Sequence, residues 1–484
     1  MKPLHIVSAT RTPFAKAGTT LAALDAVELG RAAVTSLLTQ TGIDPAVVDE
    51  VIIGCVGQPP AAQNVARVIA LRSGIPQSVP AMTVHRNCAS GLEAITTAHQ
   101  RICAGLGNVF IVGGAESMSA MPFYFRPSAV KKFTALSRAK SLPAKLGAAV
   151  SFRPGDFAPV IGLQVGLTDP VAELNMGETA EVLAREFQIS REAQDAFAMR
   201  SHVRAAAAAE LHALEISPVY PPGREPALVD NGIRADSTTD KLAKLRPLFD
   251  TRYGSVTAGN SSQITDGAVA LLVCSEEALR EHGWTSLGRL THYAATGCDP
   301  VRMGLGPVRA IDAVLRRSGH QLADFDLVEI NEAFAAQVLS VLKALSEPDA
   351  ARQAGLDAPL GEIDPAKVNP SGGAIALGHP VGASGARLVQ TALTQLHQRH
   401  QSRALVSLCV GGGQGVAAVL ESSCLPFPMN SRSVRHPHPN PSSPYLAGHQ
   451  PPEGAQAFTR QIDDDGILWH TFDQPGSSVN LWSE

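Results

Sequence analysis

Runs of apolar residues alternate along the chain with segments in which apolar positions recur at helical spacing. Strand-like runs include HIVSA, VDEVIIGCV and NVFIVGGA, and helical spacing covers 23–40 and 64–73. The second half repeats this plan with LGRLTHYAAT, a helix over 307–318, FDLVEINEAF and ALVSLCVGGGQGVAAVLE. Strands that alternate with helices predict an α/β fold built in layers on a sheet.

Two stretches share one order of features. CASGLEAI to NVFIVGGAES has a small-residue turn, a helix and a strand that ends in paired glycines. GASGARLV to RALVSLCVGGGQG has the same order over nearly the same length. The match indicates an internal duplication, with two halves around a shared crevice. A chance likeness between common αβ patterns is the alternative that these residues leave open.

The same patterns predict four segments. Residues 1–276 form the N-terminal half, which includes a long insertion over about 119–255, and residues 277–421 form the C-terminal half. Eight prolines crowd the next segment and predict an extended linker over 422–457. A strand-and-turn pattern resumes over 458–484, where we expect a lone strand and the incomplete start of a further domain.

Composition excludes several classes of protein. The 484 residues are 45% hydrophobic and 17% charged, and a net charge of −4 argues against a nucleic-acid binder driven by overall charge. No run approaches the ~18 apolar residues of a membrane-spanning helix, and MKPLHIVSATRTPF lacks the apolar core of a signal peptide. Seven scattered cysteines without a CxxC pair predict reduced thiols and no metal site, so we expect a cytoplasmic protein.

From Ser117 to Gly155 the chain carries basic residues without acidic ones. Val130, Phe133 and Leu136 lie at three-residue spacing among them, which predicts an amphipathic helix. The segment is either a solvated lid or a surface for an anionic partner. Between Ser117 and Gly155 the basic residues are Arg126, Lys131, Lys132, Arg138, Lys140, Lys145 and Arg153.

Cys88 stands at the corner between the strand-like run VPAMTV and a helical pattern. Unpaired N–H groups and the positive end of the dipole at a helix N-terminus favour a thiolate. The position therefore predicts a nucleophile with a lowered pKa. Because free cysteines are among the most buried residues, a core cysteine is the alternative.

Three other stretches carry polar groups at turns. His379 lies in a glycine-rich turn before a helix, Asn331 and Glu332 follow a predicted strand, and Cys409 lies near the end of the last predicted strand. We expect all of these groups, with Cys88, at strand ends, where open α/β sheets gather their sites.

The motifs NCASG, NEAF, GHPxGASG and CxGGGxG, in this order and spacing, resemble those of the thiolases over about residues 4–421. The resemblance implies the duplicated five-layered α-β-α-β-α thiolase fold with a loop-domain insertion, usually in dimers or tetramers. It also implies that 3-ketoacyl-CoA and coenzyme A are interconverted with acetyl-CoA and a shortened acyl-CoA. Coenzyme A and its thioesters are then substrates, and no cofactor is implied. Ketoacyl synthases share the fold but pair their nucleophile with two histidines or with His and Asn, so Cys409 favours a thiolase.

The resemblance also implies roles for matching positions. Cys88 resembles the acylated nucleophile, and His379 resembles the group that takes its proton and helps to hold a thioester oxygen. Asn331 resembles the residue that fixes a water as the other donor to that oxygen. Cys409 resembles the acid/base for the acyl α-carbon or the incoming thiol. The backbone N–H groups of Cys88 and Gly411 would form a second oxyanion hole.

Contacts with coenzyme A follow from shorter matches. TAGNSSQITDGA makes Ser262 a pantetheine contact, and Arg234 in GIRADST matches a position near the nucleotide end. Met176 and Met303 match methionines that line the substrate pocket. Asn175 stands where many biosynthetic thiolases have His, which argues against short-chain acetoacetyl-CoA synthesis.

The insertion resembles that of the thiolase subunit of fatty-acid β-oxidation complexes, and GILWHTFDQPGSSVNLW resembles the opening strand of an enoyl-CoA hydratase domain. We therefore expect a degradative 3-ketoacyl-CoA thiolase, an acetyl-CoA C-acyltransferase that works by ping-pong transfer as a homodimer or tetramer. A hydratase/dehydrogenase partner subunit and peripheral membrane contact are further expectations. A biosynthetic acetoacetyl-CoA thiolase and a non-catalytic acyl-CoA carrier on the same fold are the alternatives.

Overall fold

The computed structural model describes residues 2–423 and the backbone of residues 459–462 and 468–471. The chain divides into two compact units, Met1–Phe427 and Pro428–Glu484. Across the described residues of the first unit, no helix is long and apolar enough to cross a bilayer.

Strands and helices alternate through the first unit, and a strand pair belongs to the second. The strands are β1 (Leu4–Arg11), β2 (Ala15–Lys16), β3 (Glu50–Gly54), β4 (Ala81–Val84), β5 (Val109–Ser117), β6 (Phe123–Tyr124), β7 (Val160–Ile161), β8 (Thr265–Cys274), β9 (Gly288–Gly297), β10 (Leu327–Ile330), β11 (Arg403–Val410), β12 (Gln414–Ser422), β13 (Thr459–Ile462) and β14 (Leu468–Thr471). The helices are α1 (Ala26–Thr41), α2 (Val65–Arg72), α3 (Ser90–Cys103), α4 (Pro127–Arg138), α5 (Leu142–Val150), α6 (Gly162–Gly166), α7 (Met176–Glu186), α8 (Arg191–Ala207), α9 (Ala209–Glu215), α10 (Thr239–Ala243), α11 (Glu276–Glu281), α12 (Gly306–Ser318), α13 (Ala335–Ser346), α14 (Pro348–Gln353), α15 (Ala374–Leu377) and α16 (Val381–Gln398).

One continuous sheet joins the two halves of the chain. Its strand order is β10-β11-β12-β9-β1-β8-β5-β3-β4, with β2 attached to β8. The halves meet where β1 pairs with β9. In the first half β3 runs parallel to β4 and β5, and in the second half β10 runs parallel to β11. A parallel bridge between Val328 and Val368 takes the place of β4 in the second half.

The side chains of each strand alternate between two apolar layers. On β5, Phe110 and Val112 face the cluster around α3 and α16, whereas Val109 and Ile111 face α1 and α2. On β11 the same alternation faces α16 on one side and α12 and α13 on the other. Strands covered on both faces read as continuous apolar runs. The structure thus confirms the duplicated α-β-α-β-α layering.

The two central helices pack on each other through the repeated small-residue motif. A Cβ on Gly91 of CASG would lie 2.8 Å from the backbone N of Ala386, and a Cβ on Gly385 of GASG would lie 2.6 Å from the backbone N of Leu92. Real Cβ atoms do not approach so closely, so each glycine lets the other helix come near. The N-termini of α3 and α16 are therefore held side by side.

The segment between β5 and β8 holds β6, β7 and helices α4 to α10. The expected amphipathic helix is α4, where the Phe133 ring lies 5.0 Å from that of Phe125 and 4.8 Å from that of Phe152. Val130, on the same helix, is half exposed. Asp156, the first acidic residue after the basic run, lies 2.6 Å from the Nζ of Lys132.

The tail differs from the expectation of a lone strand, which is wrong. Strand β14 pairs antiparallel with β13, so that Thr459 faces Thr471 and Ile462 faces Leu468. The stretch TRQI has no clear apolar alternation, so no local pattern indicates β13. The linker after Ser423 and the last residues of the chain lie outside the described part. The segment boundaries that we drew from the sequence stay predictions.

Candidate active site

Cys88 follows β4 and lies one residue before Ala89, the N-cap of α3. The corner is fixed by Ser90, whose Oγ accepts from the backbone N–H of Arg86 at 2.9 Å and donates to the Asn87 carbonyl at 2.7 Å. Asn87 has a φ of +40°, a conformation that Asn tolerates better than most residues. The bend presents the Cys88 thiol at the entrance of the helix, as the sequence predicts.

The expected lowering of the Cys88 pKa is wrong for the free protein. Burial raises the pKa of the thiol, and the nearby Glu116 carboxylate raises it further. The backbone N–H groups of Gly411 and of Cys88 itself act in the opposite direction but do not outweigh burial. Asn87 Nδ2 donates to the Gly411 carbonyl at 2.7 Å and ties the two loops together. Cys88 is therefore a neutral thiol near pH 7 and needs a base.

Cys409 lies one residue from the end of β11 and is buried. Burial raises its pKa well above the ordinary value, and Cys88 and Cys298 raise it further. The effect of Cys88 on this pKa places the two thiols within electrostatic reach of each other. Met303 belongs to the apolar cluster that surrounds Cys409, together with Phe334.

His379 lies between α15 and α16, so the expectation that it sits at a strand end is wrong. Its Nδ1 lies 2.6 Å from the Oγ of Ser384, which donates its single proton to the Pro380 carbonyl at 3.0 Å. Ser384 Oγ must then accept a hydrogen bond from Nδ1–H, which leaves Nε2 as an acceptor. Burial, with a smaller effect of Arg387, lowers the pKa of His379 to about 3. The imidazole is neutral near pH 7, with an acceptor lone pair on Nε2.

Asn331 follows β10 directly, and its Nδ2 lies 3.4 Å from the Nε2 of His379. Its Oδ1 is buried and accepts no hydrogen bond from the described residues. The next residue, Glu332, accepts from Ser201 Oγ at 2.6 Å and from the backbone N of Ile375 at 3.2 Å. The buried amide oxygen is an unmet acceptor that a water or substrate group can fill.

A cavity of about 820 Å³ reaches His379. Three of the predicted coenzyme A contacts, Ser262, Arg234 and Met176, line it, whereas Met303 does not appear in its wall. Much of the wall is apolar, and the insertion contributes to it through Leu163, Leu167, Leu242, Leu245 and Leu248, with Phe249 beside them. Lys16, Arg234 and Lys241 add positive charge.

Gly411 lies between Met176 and Asn87. A Cβ at this position would lie 3.3 Å from the Sδ of Met176 and 3.8 Å from the Nδ2 of Asn87. Asn175, which replaces the His of many biosynthetic thiolases, also has a structural role. Its Oδ1 accepts from Gly177 N at 3.0 Å and caps α7.

Sequence reasoning missed three residues that shape the site. Ser384, Asn87 and Glu116 each stand inside or next to a motif that the sequence singled out, namely GASG, NCASG and GGAES. The available signal was a polar side chain in or beside a motif of small residues. Their partners lie far away in sequence, so the contacts themselves carried no local pattern.

A neutral imidazole in the wall of the cavity, and two thiols within electrostatic reach of each other, suit covalent acyl transfer through cysteine. The chain is an acyltransferase. Family models point to the same class: that of the thiolase N-terminal domain matches residues 4–277, and that of the thiolase C-terminal domain matches residues 284–422. The chain belongs to the thiolase family.

Curated relatives match nearly their whole length. The 3-ketoacyl-CoA thiolase of Pectobacterium carotovorum is 41% identical over 423 residues, which cover 86% of this chain and 96% of the relative. That of Photorhabdus laumondii is 40% identical over the same length and shares.

Solved structures agree with this. The acetyl-CoA acetyltransferase of Bacillus anthracis has a TM-score of 0.77 at 35% identity and covers 87% of this chain and 99% of its own. Human mitochondrial 3-ketoacyl-CoA thiolase, solved in complex with CoA, has a TM-score of 0.74 at 36% identity. The match covers 87% of this chain and 98% of the human chain.

Proposed function

We propose that this chain is a 3-ketoacyl-CoA thiolase of fatty-acid β-oxidation, which cleaves 3-ketoacyl-CoA with coenzyme A to acetyl-CoA and a shortened acyl-CoA. The observation that carries the proposal is that the chain brings two thiols, Cys88 and Cys409, within electrostatic reach and also holds a neutral imidazole, His379, in the wall of the cavity. One thiol can hold the acyl group while the other moves the proton that carbon–carbon cleavage requires. The curated relatives are named for this activity.

In the first half-reaction, Nε2 of His379 takes the Cys88 proton and the sulfur attacks the 3-keto carbon. The bond between C2 and C3 breaks, its electron pair passes to C2, and Cys409 protonates that carbon to release acetyl-CoA. In the second half-reaction, the coenzyme A thiol gives its proton to Cys409 and attacks the acyl thioester on Cys88. The shortened acyl-CoA leaves, and Cys88 recovers its proton from His379.

Negative charge develops on an oxygen in each half-reaction, and two sets of donors suit it. The N–H groups of Cys88 and Gly411 already point at the Cys88 sulfur and would hold the acyl oxygen. A water on the unpaired Oδ1 of Asn331, together with protonated His379, would hold the other oxygen. Loss of one such donor typically costs about 3–4 kcal/mol of transition-state stabilisation.

The cavity suits a coenzyme A thioester with a carbon chain. Ser262 and Met176 would contact the pantetheine arm, Arg234 would meet the nucleotide end, and Met303 would pack behind Cys409. Apolar side chains from the insertion supply wall beyond what an acetyl group needs, which supports chains longer than acetoacetyl. A biosynthetic acetoacetyl-CoA thiolase is the second candidate, since the Bacillus anthracis structure is titled an acetyl-CoA acetyltransferase.

The test is thiolysis of 3-ketoacyl-CoA substrates of four to sixteen carbons, with mass spectrometry of the protein after incubation with acetyl-CoA. We expect a single acetyl group on Cys88 and a larger kcat/KM for longer chains. Activity confined to acetoacetyl-CoA would favour the biosynthetic alternative. Absence of both labelling and turnover would leave the non-catalytic acyl-CoA carrier.

We also propose the wider setting that the resemblance implies: a cytoplasmic homodimer or tetramer with a hydratase/dehydrogenase partner subunit. The segment 458–484 would open a hydratase-like domain, and the pairing of β13 with β14 supports a strand at that point. Size-exclusion chromatography with light scattering tests the oligomer, and copurification tests the partner.

Peripheral contact with an anionic membrane is proposed for the surface of α4 and α5. Leu142, Leu146 and Val150 of α5 are 72%, 58% and 83% exposed, which is unusual for apolar residues in water. Lys131 and Lys140 lie in the same segment without an ion-pair partner among the described residues. We expect binding to phosphatidylglycerol vesicles but not to phosphatidylcholine vesicles, and a loss of binding in Lys131→Glu/Lys140→Glu. Equal binding of both vesicle types would refute the dependence on anionic lipid, and absence of binding to either type would leave a solvated lid.

A further inference from the structure

Glu116, near the end of β5, is fully buried, and three backbone N–H groups surround its carboxylate. Oε1 accepts from Gly57 N at 2.7 Å, and Oε2 accepts from Val56 N at 3.0 Å and from Gly382 N at 2.9 Å. Among the described residues, no Lys, Arg or His forms an ion pair with it. A buried carboxylate without a cation depends on such N–H groups for its stability.

Two of the three donors are glycines that have no room for a side chain. A Cβ on Gly382 would lie 2.7 Å from Oε2 of Glu116, and a Cβ on Gly57 would lie 2.8 Å from Oε1. Any other residue at these positions would displace the carboxylate. The two backbone segments are thus shaped around Glu116.

These bonds join the two halves of the chain beside the reactive groups. Val56 and Gly57 follow β3 in the first half, whereas Gly382 lies in the first turn of α16, three residues after His379. The same turn contains Ser384, which binds Nδ1 of His379. Glu116, from the first half, therefore holds by a hydrogen bond the turn of the second half that orients the imidazole.

Glu116 also acts on the thiol. It is one of the groups that raise the pKa of Cys88, while Cys409, on β11, faces the same sulfur from the second half. Burial raises the pKa of Glu116 itself to about 7, so it carries its charge mainly above neutral pH.

We infer that Glu116 is a positioning residue, which holds the turn of α16 that carries His379 in register with the Cys88 corner. The inference rests on the proposed function, in which His379 takes the proton of Cys88. It assigns the carboxylate two separable properties, its span between two backbone segments and its charge.

Two substitutions separate these properties. Glu116→Gln removes the charge and places an N–H donor against a backbone N–H, whereas Glu116→Asp keeps the charge but shortens the span by one methylene. Glu181→Gln is the matched control, because Glu181 is a buried carboxylate that also accepts from backbone N–H groups, those of Ser255 and Val256.

For Glu116→Gln and Glu116→Asp we expect kcat of thiolysis to fall at least tenfold, with KM for coenzyme A within twofold of wild type. The pH midpoint for alkylation of Cys88 by iodoacetamide should move down in the Gln variant only, because that variant loses the charge. Glu181→Gln should leave that midpoint unchanged, and its melting temperature sets the loss expected from a structural carboxylate.

A kcat within threefold of wild type in folded Glu116→Asp or folded Glu116→Gln would overturn the positioning role. If Glu116→Gln does not fold, the Asp variant alone decides the positioning role. Alkylation needs no acyl-CoA, so it reports on Glu116 even if wild-type Cys88 takes no acetyl group, a result that would refute the proposed function instead.

Discussion

Replacement of Ser384 by Ala should slow the acylation of Cys88 without unfolding the protein. Ser384 Oγ lies 2.6 Å from Nδ1 of His379 and donates to the Pro380 carbonyl at 3.0 Å. This arrangement keeps the imidazole proton on Nδ1 and leaves Nε2 free to accept. Without the hydroxyl, nothing fixes that tautomer.

The size of the effect follows from the cost of a buried donor without a partner. In Ser384→Ala the Nδ1–H of His379 loses its acceptor, which costs about 1–3 kcal/mol. The ring can avoid this cost by moving its proton to Nε2, but that tautomer cannot take a proton from Cys88 and would face Nδ2 of Asn331, another donor at 3.4 Å. Either outcome reduces the reactive population, and the same free energy corresponds to a rate reduction of roughly 5- to 150-fold.

Single-turnover acetylation of Cys88 by acetyl-CoA, followed by quenched-flow mass spectrometry, measures this step directly. Ser340→Ala is the control, because Ser340 is also buried and its Oγ donates only to a helix carbonyl, that of Ala336 at 2.8 Å. Both variants lose a buried hydroxyl, but only one touches His379. Acetylation of Ser384→Ala at the rate of Ser340→Ala would refute the tautomer argument.

Other predictions concern the thiols, the loss of stability at acidic pH and the C-terminal tail. Cys88→Ser should abolish turnover in both directions, because an alcohol is a far weaker nucleophile than a thiolate; a retained acetyl label would move the nucleophile to Cys409. Cys409→Ala should still accept acetyl on Cys88 but fail to condense or cleave, as measured by label against turnover. Burial lowers the pKa of His379 from 6.5 to about 3. Between those pH values the unfolded chain binds a proton that the folded chain does not, so stability should fall as the pH drops. The melting temperature of His379→Asn should fall less steeply than that of wild type over this range. Removal of 424–484 should leave kcat unchanged and the melting temperature within about 2 °C of wild type. The reason is that β12, which ends at Ser422, is the last strand along the chain that joins the large sheet.

The order of the elements could be predicted from the sequence because each is coded locally. The helix expected over 307–318 is Gly306–Ser318, and the run NVFIVGGA lies in Val109–Ser117. The repeated small-residue turn likewise indicated two equivalent helices. The strand β13 escaped because its four residues lack apolar alternation, and its existence depends on pairing with β14.

The electrostatics of the site could not be predicted, because they depend on burial and on contacts between distant residues. A helix N-terminus alone favours a thiolate at Cys88, but burial of the sulfur and, to a smaller extent, the carboxylate of Glu116 raise the pKa of the thiol. Asn87 meets Gly411 across 324 residues, and Glu116 meets Gly382 across 266 residues. No local pattern reports such pairs.

The duplication itself explains why the reactive groups meet. Each half supplies one central helix, and the glycines Gly91 and Gly385 let the N-termini of α3 and α16 lie side by side. One copy of the turn leads from Cys88 into its helix, and the other leads from His379 into its own. Because the two turns occupy equivalent places in the halves, the packing that joins the helices also brings a thiol and an imidazole to one crevice. A side chain at Gly91 or Gly385 would therefore separate the two groups before it disturbed either half. Gly91→Ala should lower the rate of Cys88 acetylation at temperatures at which the variant is still fully folded.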